Sequence, residues 1–442
     1  MSLRTVFLRK KFWLKDWLNG APMWKAYKEV QLIMADPIKG EEIRQQRLHD
    51  LLVFAQTNTP YYQGKNYTHL SDFPVVNKQV IMEHYDQFLT PVDKILGQKG
   101  EVHVQRTSGS TGTPFEVRQD TNCRTRRVAT IKAANELIGF HSFEPLMHLR
   151  AIKHYWNFPD DVVVKWNKDI CILYADNANL TDSRVRKLID AINEYKISFV
   201  RGYMTTLDTI TRYAVENNYP ILTKPTFISV GELLLDSLRS RVESMGCKII
   251  SQYGNEENGV FGQSKINGSG TEMTLYRANC YIEILKMDRD EPVEENELGR
   301  IVVTDFTNYA MPMIRYEIGD CAMIGERADN GALLSIKNLS GRKTDMVYRT
   351  DGSVIDIFNS MPKEIFNGQL IRQWQFIQKD AKSYVLNLGI KDETVRAQEN
   401  LYVQYMKDIL GPDAEISINW LHEIPVLASG KRKIVIQEYK KK

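Results

Sequence analysis

The sequence predicts an α/β protein: a large N-terminal body with a βαβ parallel sheet and a barrel-like subdomain, then a small α+β C-terminal domain. Three observations point there. Between residues 183 and 255, β-branched runs alternate with helical patterns, the signature of βαβ units whose sheet is covered on both faces. Beyond about residue 275 the pattern changes to strand-like runs separated by Gly, Asn and Asp turns, which suggests antiparallel or barrel-like pairing. A break in NLSGRKTDMVYRTDG then divides the chain into 1–340 and 341–442. At 442 residues the chain is too long for one compact core.

Each element has a local reason. Leu48, Leu51, Leu52 and Ala55 recur at i, i+3, i+4, i+7, one stripe of a helix that stops before Pro60, and a second helix starts near Asn77. From Ser183, Val185, Leu188, Ile189 and Ile192 share a helical face, and the strand ISFV follows at once. TTLDTITRYAVENN is then a helix, TFISV a short buried strand, LLLDSLRSRVESM a helix and CKIISQY a strand. YIEIL, GRIVVTDF and CAMIG read as the strands of the antiparallel part. The last stretch contains two strands (QWQFIQ, YVLNLGI), a helix (TVRAQENLYVQYMKDIL) and a hairpin-like pair (EISINW, RKIVIQE).

Composition excludes several classes. With 43% apolar, 26% charged and 10% aromatic residues the chain is globular, and a net charge of +3 gives no argument for a nucleic-acid partner. Cys123, Cys171, Cys247, Cys280 and Cys321 stand singly, without C-x-x-C or a nearby His, so neither a disulfide framework nor zinc is expected. Lys10, Lys11, Lys15 and Asp16 break any apolar signal core at the N-terminus, and no apolar run is long enough to span a membrane. A reducing cytoplasm is therefore the expected setting. Arg4, Arg9, Lys10, Lys11 and Lys15 alternate with Phe7, Phe12, Trp13, Trp17 and Trp24, which suits an anionic membrane surface or a helix docked on its own domain. Docking is the expectation, without membrane contact.

In open α/β sheets ligands bind beyond the carboxyl ends of the strands. Gly231-Glu232 follows TFISV there, and Gly254-Asn255-Glu256-Glu257 follows IISQY. A further candidate is Thr107 to Pro114, TSGSTGTP, whose glycines let the backbone approach an anion while hydroxyls and N–H groups donate to phosphate oxygens. It is not a Walker A loop, since no Gly-Lys-Ser/Thr follows. The eight histidines form no triad with Ser and Asp. His148 and His154 are read as structural, and Tyr155, Trp156 and Phe158 as packing rather than an acyl pocket.

TSGSTGTP resembles the phosphate loop of the adenylate-forming superfamily, which includes the acyl-CoA synthetases, and further motifs follow in that superfamily's order. SQYGNEE (251–257) is similar to its aromatic-Gly-x-x-Glu motif, MIRYEIGD (313–320) to its Tyr-x-x-Gly-Asp motif, and GRKTD (341–345) to its hinge. PVLASGKRK (425–433) is placed like its catalytic-lysine loop. The block GRIVVTDFTNYAMPMIRYEIGD and the front segment RLHDLLVFAQTNTPYY look like the phenylacetate-CoA ligase branch, which includes relatives associated with capsular polysaccharide biosynthesis.

The resemblance implies ATP-dependent activation of a carboxylic acid as acyl-AMP, then transfer to a thiol, with coenzyme A the expected acceptor. It leaves open transfer to an amine or hydroxyl in capsular polysaccharide synthesis, or a non-catalytic scaffold retaining the fold. It implies an adenylate-forming domain over 1–340 and a mobile domain over 341–442 that pivots near Arg342 to Asp345. It assigns Thr107, Ser108, Gly109, Ser110, Thr111, Gly112 and Thr113 to the phosphates, and Gly231, Glu232, Tyr253 and Gly254 to the adenine pocket. Glu256 is assigned to Mg²⁺ and catalysis, Asp320 and Arg342 to the ribose, and Lys431 to the adenylation step, with Arg432 and Lys433 as competitors. Two departures stand out: Phe115 follows Pro114 where a lysine is common, and Thr344 replaces the first of two hinge aspartates, leaving Asp345.

Overall fold

The computed structural model describes residues 3–106, 115–151, 162–343, 346–361, 371–427 and 431–439. The N-terminal helices are α1 (Leu3–Leu18), α2 (Pro22–Ala35), α3 (Pro37–Asn58) and α4 (Lys78–Glu83). Asp36 separates α2 from α3 and caps the latter, its carboxylate accepting from Ile38 N and Lys39 N at 3.0 Å each, with Pro37 at the first helical position. Asn77 caps α4 through Val80 N at 3.0 Å, as the sequence suggests.

The inner face of α1 docks on its own body. Thr5 donates to Phe143 O, Arg9 to Ser142 O, and Lys132 Nζ lies 4.3 Å from the Phe12 ring centroid. Its outer face leaves Leu3, Phe7, Leu14, Trp17 and Leu18 exposed. No described helix is long and apolar enough to cross a membrane.

After the hairpin β1 (His103–Arg106) and β2 (Glu116–Gln119) comes α5 (Thr121–Glu136). The chain then runs β3 (Leu146–Arg150), β4 (Val164–Asn167), β5 (Ile172–Asp176), α6 (Asp182–Glu194), β6 (Phe199–Tyr203), α7 (Met204–Glu216), β7 (Thr226–Val230), α8 (Asp236–Ser244) and β8 (Lys248–Asn255). Strands β5, β3, β6, β7 and β8 are mutually parallel, with β4 antiparallel at the edge. One face packs on α6, α7 and α8 around Val185, Leu188, Ile192, Val200, Leu207 and Phe227. Each such buried side chain contributes about 1.5–3 kcal/mol, which is why this helical stripe was readable.

The antiparallel half is β9 (Gly259–Gln263), β10 (Met273–Leu275), β11 (Cys280–Leu285), β12 (Gly299–Asp305), β13 (Tyr316–Ile324) and β14 (Ser335–Arg342). These strands continue the same sheet in the order β11-β12-β13-β14-β10-β9-β8. Four strand spacings separate β13 from β8, about 19 Å if flat. Yet Tyr253 Oη of β8 donates to Asp320 Oδ2 of β13 at 2.9 Å. This half therefore curls strongly around Phe261, Met273, Ile301, Val303 and Ile336.

The C-terminal part holds the short pair β15 (Val347–Tyr348) and β16 (Val354–Ile355), then α9 (Ile357–Ser360), β17 (Ile371–Gln378), β18 (Ser383–Ile390), α10 (Glu399–Leu410), β19 (Glu415–Leu421) and β20 (Val435–Gln437). The four-stranded sheet has the order β19-β18-β17-β20, over a core of Phe376, Leu386, Leu388, Met406 and Leu410. EISINW and RKIVIQE are thus not a hairpin. They lie on opposite edges, β19 parallel to β18 and β20 parallel to β17. The physical reason is the central β17–β18 hairpin, which occupies the middle and leaves only the two edges. Leu235 and Ile434 touch both the C-terminal core and the body's core.

Candidate active site

The site lies where β6, β7 and β8 end. Beyond β7, Gly231 adopts φ +70°, and a Cβ there would come within 3.3 Å of Lys431 Nζ. Glu232 follows, half-buried. Its Oε2 accepts from Thr205 N at 2.8 Å, at the start of α7, and its Oε1 from Thr205 Oγ1 at 2.9 Å and Arg432 N at 2.8 Å. This carboxylate fastens the loop before β20 to the body. Burial pushes its pKa up against these hydrogen bonds and the charge of Lys431.

Lys431 Nζ lies 4.8 Å from the Tyr203 ring centroid. Burial lowers its pKa. Glu232, Glu256 and Asp320 pull it back up, while Arg342 pushes it down. One ammonium thus feels groups from four other segments of the chain. The Arg432 side chain turns away, donating to Ile424 O at 3.1 Å and lying 3.6 Å from Glu423.

Strand β8 supplies Tyr253 and leads to Glu256. The Tyr253 phenol is held well above its usual range by burial and by Asp320, whose carboxylate it binds. Asp320 stands opposite Arg342 in the β13–β14 register. Gly254 is required by close approach, since a Cβ there would sit 2.2 Å from Gly259 O in the facing strand. Glu256 is exposed, with Oε2 accepting from Gln105 Nε2 of β1 at 2.9 Å. Its loop is clamped by Arg127 of α5, which donates to Glu256 O at 3.2 Å and to Glu257 O, and pairs with Asp305 at 3.3 Å.

Glu232, Tyr253, Gly254, Glu256, Asp320, Arg342 and Lys431 are therefore brought to one region from separate segments. Thr107 to Pro114, His154, Tyr155, Trp156, Phe158, Thr344 and Asp345 lie outside the described residues. Gln105, in the strand that enters the 107–114 segment, binds Glu256 directly. Arg127, Gln105 and Thr205 were not singled out from the sequence; a helix arginine, a strand glutamine and a threonine carry no local signal of such contacts.

A magnesium ion fits the donor set. Among the described residues no three His, Cys, Asp or Glu side chains converge as a metal cage, and Mg²⁺ is commonly held by one or two carboxylates plus water and phosphate oxygens. Glu256, exposed and with one oxygen engaged by Gln105, matches that demand. A separate cavity of about 570 Å³, lined by Lys99, His103, Gln119 and Arg124 at the root of the β1–β2 hairpin, shares none of these site residues.

Comparison with known proteins follows the same lines. Residues 347–438 match the CapK C-terminal domain family. The chain is 21% identical over 430 residues to Protein CapK of Staphylococcus aureus, covering 90% of this chain and 89% of that protein. It is 23% identical over 357 residues to phenylacetate-coenzyme A ligase of Pseudomonas putida, covering 73% and 76%. Among solved structures, 2-hydroxyisobutyryl-CoA ligase in the postadenylation state matches with a TM-score of 0.67 at 16% identity, over 90% of this chain and 89% of that one. The homologues are CapK and phenylacetate-CoA ligases, and the fold is that of acyl-CoA ligases of the adenylate-forming superfamily.

Proposed function

We propose that this chain is an AMP-forming acid–thiol ligase that activates a carboxylic acid with ATP and transfers the acyl group to coenzyme A. The observation that carries this reading is the convergence of separate segments: Lys431 over Tyr203 and beside Gly231, Glu232 bound to Arg432 N, and Tyr253 bound to Asp320, which stands opposite Arg342. A carboxylate oxygen attacks the α-phosphorus, the bond to pyrophosphate breaks, and the acyl-AMP then loses AMP when a thiolate attacks its carbonyl carbon. The first step gathers anions, so its transition state needs fixed positive charge and donors.

In this reading Lys431 neutralises oxygens of the carboxylate and α-phosphate, Asp320 accepts the ribose hydroxyls, and Arg342 donates to the same sugar. Tyr253 flanks the adenine, its hydroxyl anchored on Asp320. Thr107 to Thr113 cradle the phosphates. Glu256 holds Mg²⁺, which supplies Lewis-acid neutralisation of phosphate charge when bound. Glu232 fixes the Lys431–Arg432 loop against α7. Rotation of residues 341–442 after adenylation would withdraw Lys431 and admit the thiol.

The likeness to CapK favours a second reading of the last step alone, in which an amine or hydroxyl in capsular polysaccharide synthesis receives the acyl group. AMP release that depends on coenzyme A supports the first acceptor. AMP release indifferent to coenzyme A supports the second.

ATP–pyrophosphate exchange across a panel of acids tests adenylation, and its pH profile tests Lys431. Only the ammonium form serves the proposed role, and burial places its pKa below the usual lysine range. Exchange should therefore be full below that lowered pKa and fall as pH rises through it, earlier than for an exposed lysine. Lys431→Arg keeps its charge and should lose this alkaline limb. An identical limb in the arginine variant, or exchange with no acid at all, would count against the reading.

A further inference from the structure

Beneath Tyr203, on the sheet face covered by α5, side chains descend in layers. The floor is apolar, with Leu146, Phe199 and Ile250 packed together. Between that floor and Tyr203 lies Arg201, two residues before Tyr203 on β6 and in register with His148 of β3. Its Nη2 donates to Gln252 Oε1 of β8 at 2.7 Å and to Asn135 Oδ1 of α5 at 3.4 Å. Its Nε is fully buried without a hydrogen-bond partner, and Nη1 makes none among the described residues. Arg201 and His148 nevertheless keep partial exposure.

Among the described residues this guanidinium has no carboxylate counter-charge. Among the described residues its electrostatic partner is the Tyr276 hydroxyl, and burial lowers its pKa to about 10. His148 is pushed down to about 3, first by burial and then by Arg201 and Arg150, so it stays neutral. Elsewhere in the interior the pattern is opposite: Arg44, Arg126, Arg277, Arg300, Arg315 and Arg432 are buried, and each pairs with a glutamate. A buried charge without a partner is costly, and a bound anion removes that cost.

We propose that Arg201, with His148 and Gln252 beside it, is a specificity subsite for a second anionic oxygen group on the acid substrate. The reacting carboxylate then lies at the level of Tyr203 and Lys431. Two residues of strand separate the levels, about 6.6 Å, so the substrate is a short acid with anionic groups at both ends. This deepens the adenylation reading and rests on it.

The test is acid-dependent ATP–pyrophosphate exchange with matched pairs: malonate and propionate, succinate and butyrate, glutarate and pentanoate. Wild type should prefer the dicarboxylate of at least one pair. Arg201→Leu should raise KM for that dicarboxylate on the order of 10²-fold, leave KM for ATP unchanged, and abolish the preference. Arg201→Lys should restore part of it. Arg201→Gln provides the same comparison if the leucine variant does not fold, and AMP binding by calorimetry reports an intact nucleotide site. Exchange with the monocarboxylates only, with none of the dicarboxylates, or with a dicarboxylate KM unmoved by these variants overturns the subsite. Absence of AMP binding in wild type overturns instead the adenylation reading beneath it.

Discussion

Lys431→Ala is expected to slow acid-dependent ATP–pyrophosphate exchange on the order of 10²- to 10³-fold, while conversion of preformed acyl-AMP to thioester continues near the wild-type rate. The magnitude is that of one well-placed donor removed from a site where anionic charge develops. The selectivity follows from geometry. Lys431 stands over Tyr203 beside Gly231, its charge favoured by Glu232, Glu256 and Asp320, and its loop is fastened there by a bond from Arg432 N to Glu232. A rotation that admits a thiol must break that bond and carry the lysine away. Equal loss in both half-reactions would make Lys431 a structural residue, and unchanged exchange would remove it from the mechanism.

Glu232→Ala is expected to reduce exchange on the order of 10²-fold by a different route. It leaves Thr205 N and Arg432 N without their charged acceptor, at a stability cost of about 2 kcal/mol, and frees the loop that positions Lys431. Glu232→Gln separates position from charge. The amide oxygen still accepts from one of these donors, so exchange at neutral pH should fall less. The lost negative charge had held the Lys431 pKa up, so the alkaline limb should move to still lower pH. Thermal unfolding together with pH–rate profiles of the two variants checks both statements. A glutamine variant whose limb stays at the wild-type position would show that Glu232 does not act on Lys431.

The parallel sheet was legible because its signals are local and periodic: the stripe of α6 and the short run TFISV each depend on neighbours within a turn or two, as does the helix start at Asn77 nearer the N-terminus. Topology also marked Gly231-Glu232 and Gly254 to Glu257 at the strand ends, whereas Asp320, Arg342 and Lys431 were reached only through motif order. Contacts that close over long separations left no trace. Nothing near Glu232 announces that it binds the backbone of Arg432, and nothing near Glu256 announces Gln105 or the Arg127 clamp. The edges of the C-terminal sheet were misread for the same reason, since two alternating runs look like a hairpin until a central hairpin takes the middle. Arg201 hid inside SFVRGY, where one basic residue interrupts a buried strand; its meaning depends on the absence of a carboxylate beside it among the described residues, which only packing reveals.

Isotope transfer during turnover addresses the chemistry itself. An acid substrate labelled with ¹⁸O in its carboxylate is incubated with ATP, Mg²⁺, coenzyme A and the enzyme, and the products are analysed by mass spectrometry. Direct attack of the carboxylate on the α-phosphorus predicts one labelled oxygen in the AMP released and none in pyrophosphate. Unlabelled AMP, or label appearing in inorganic phosphate, would contradict the account.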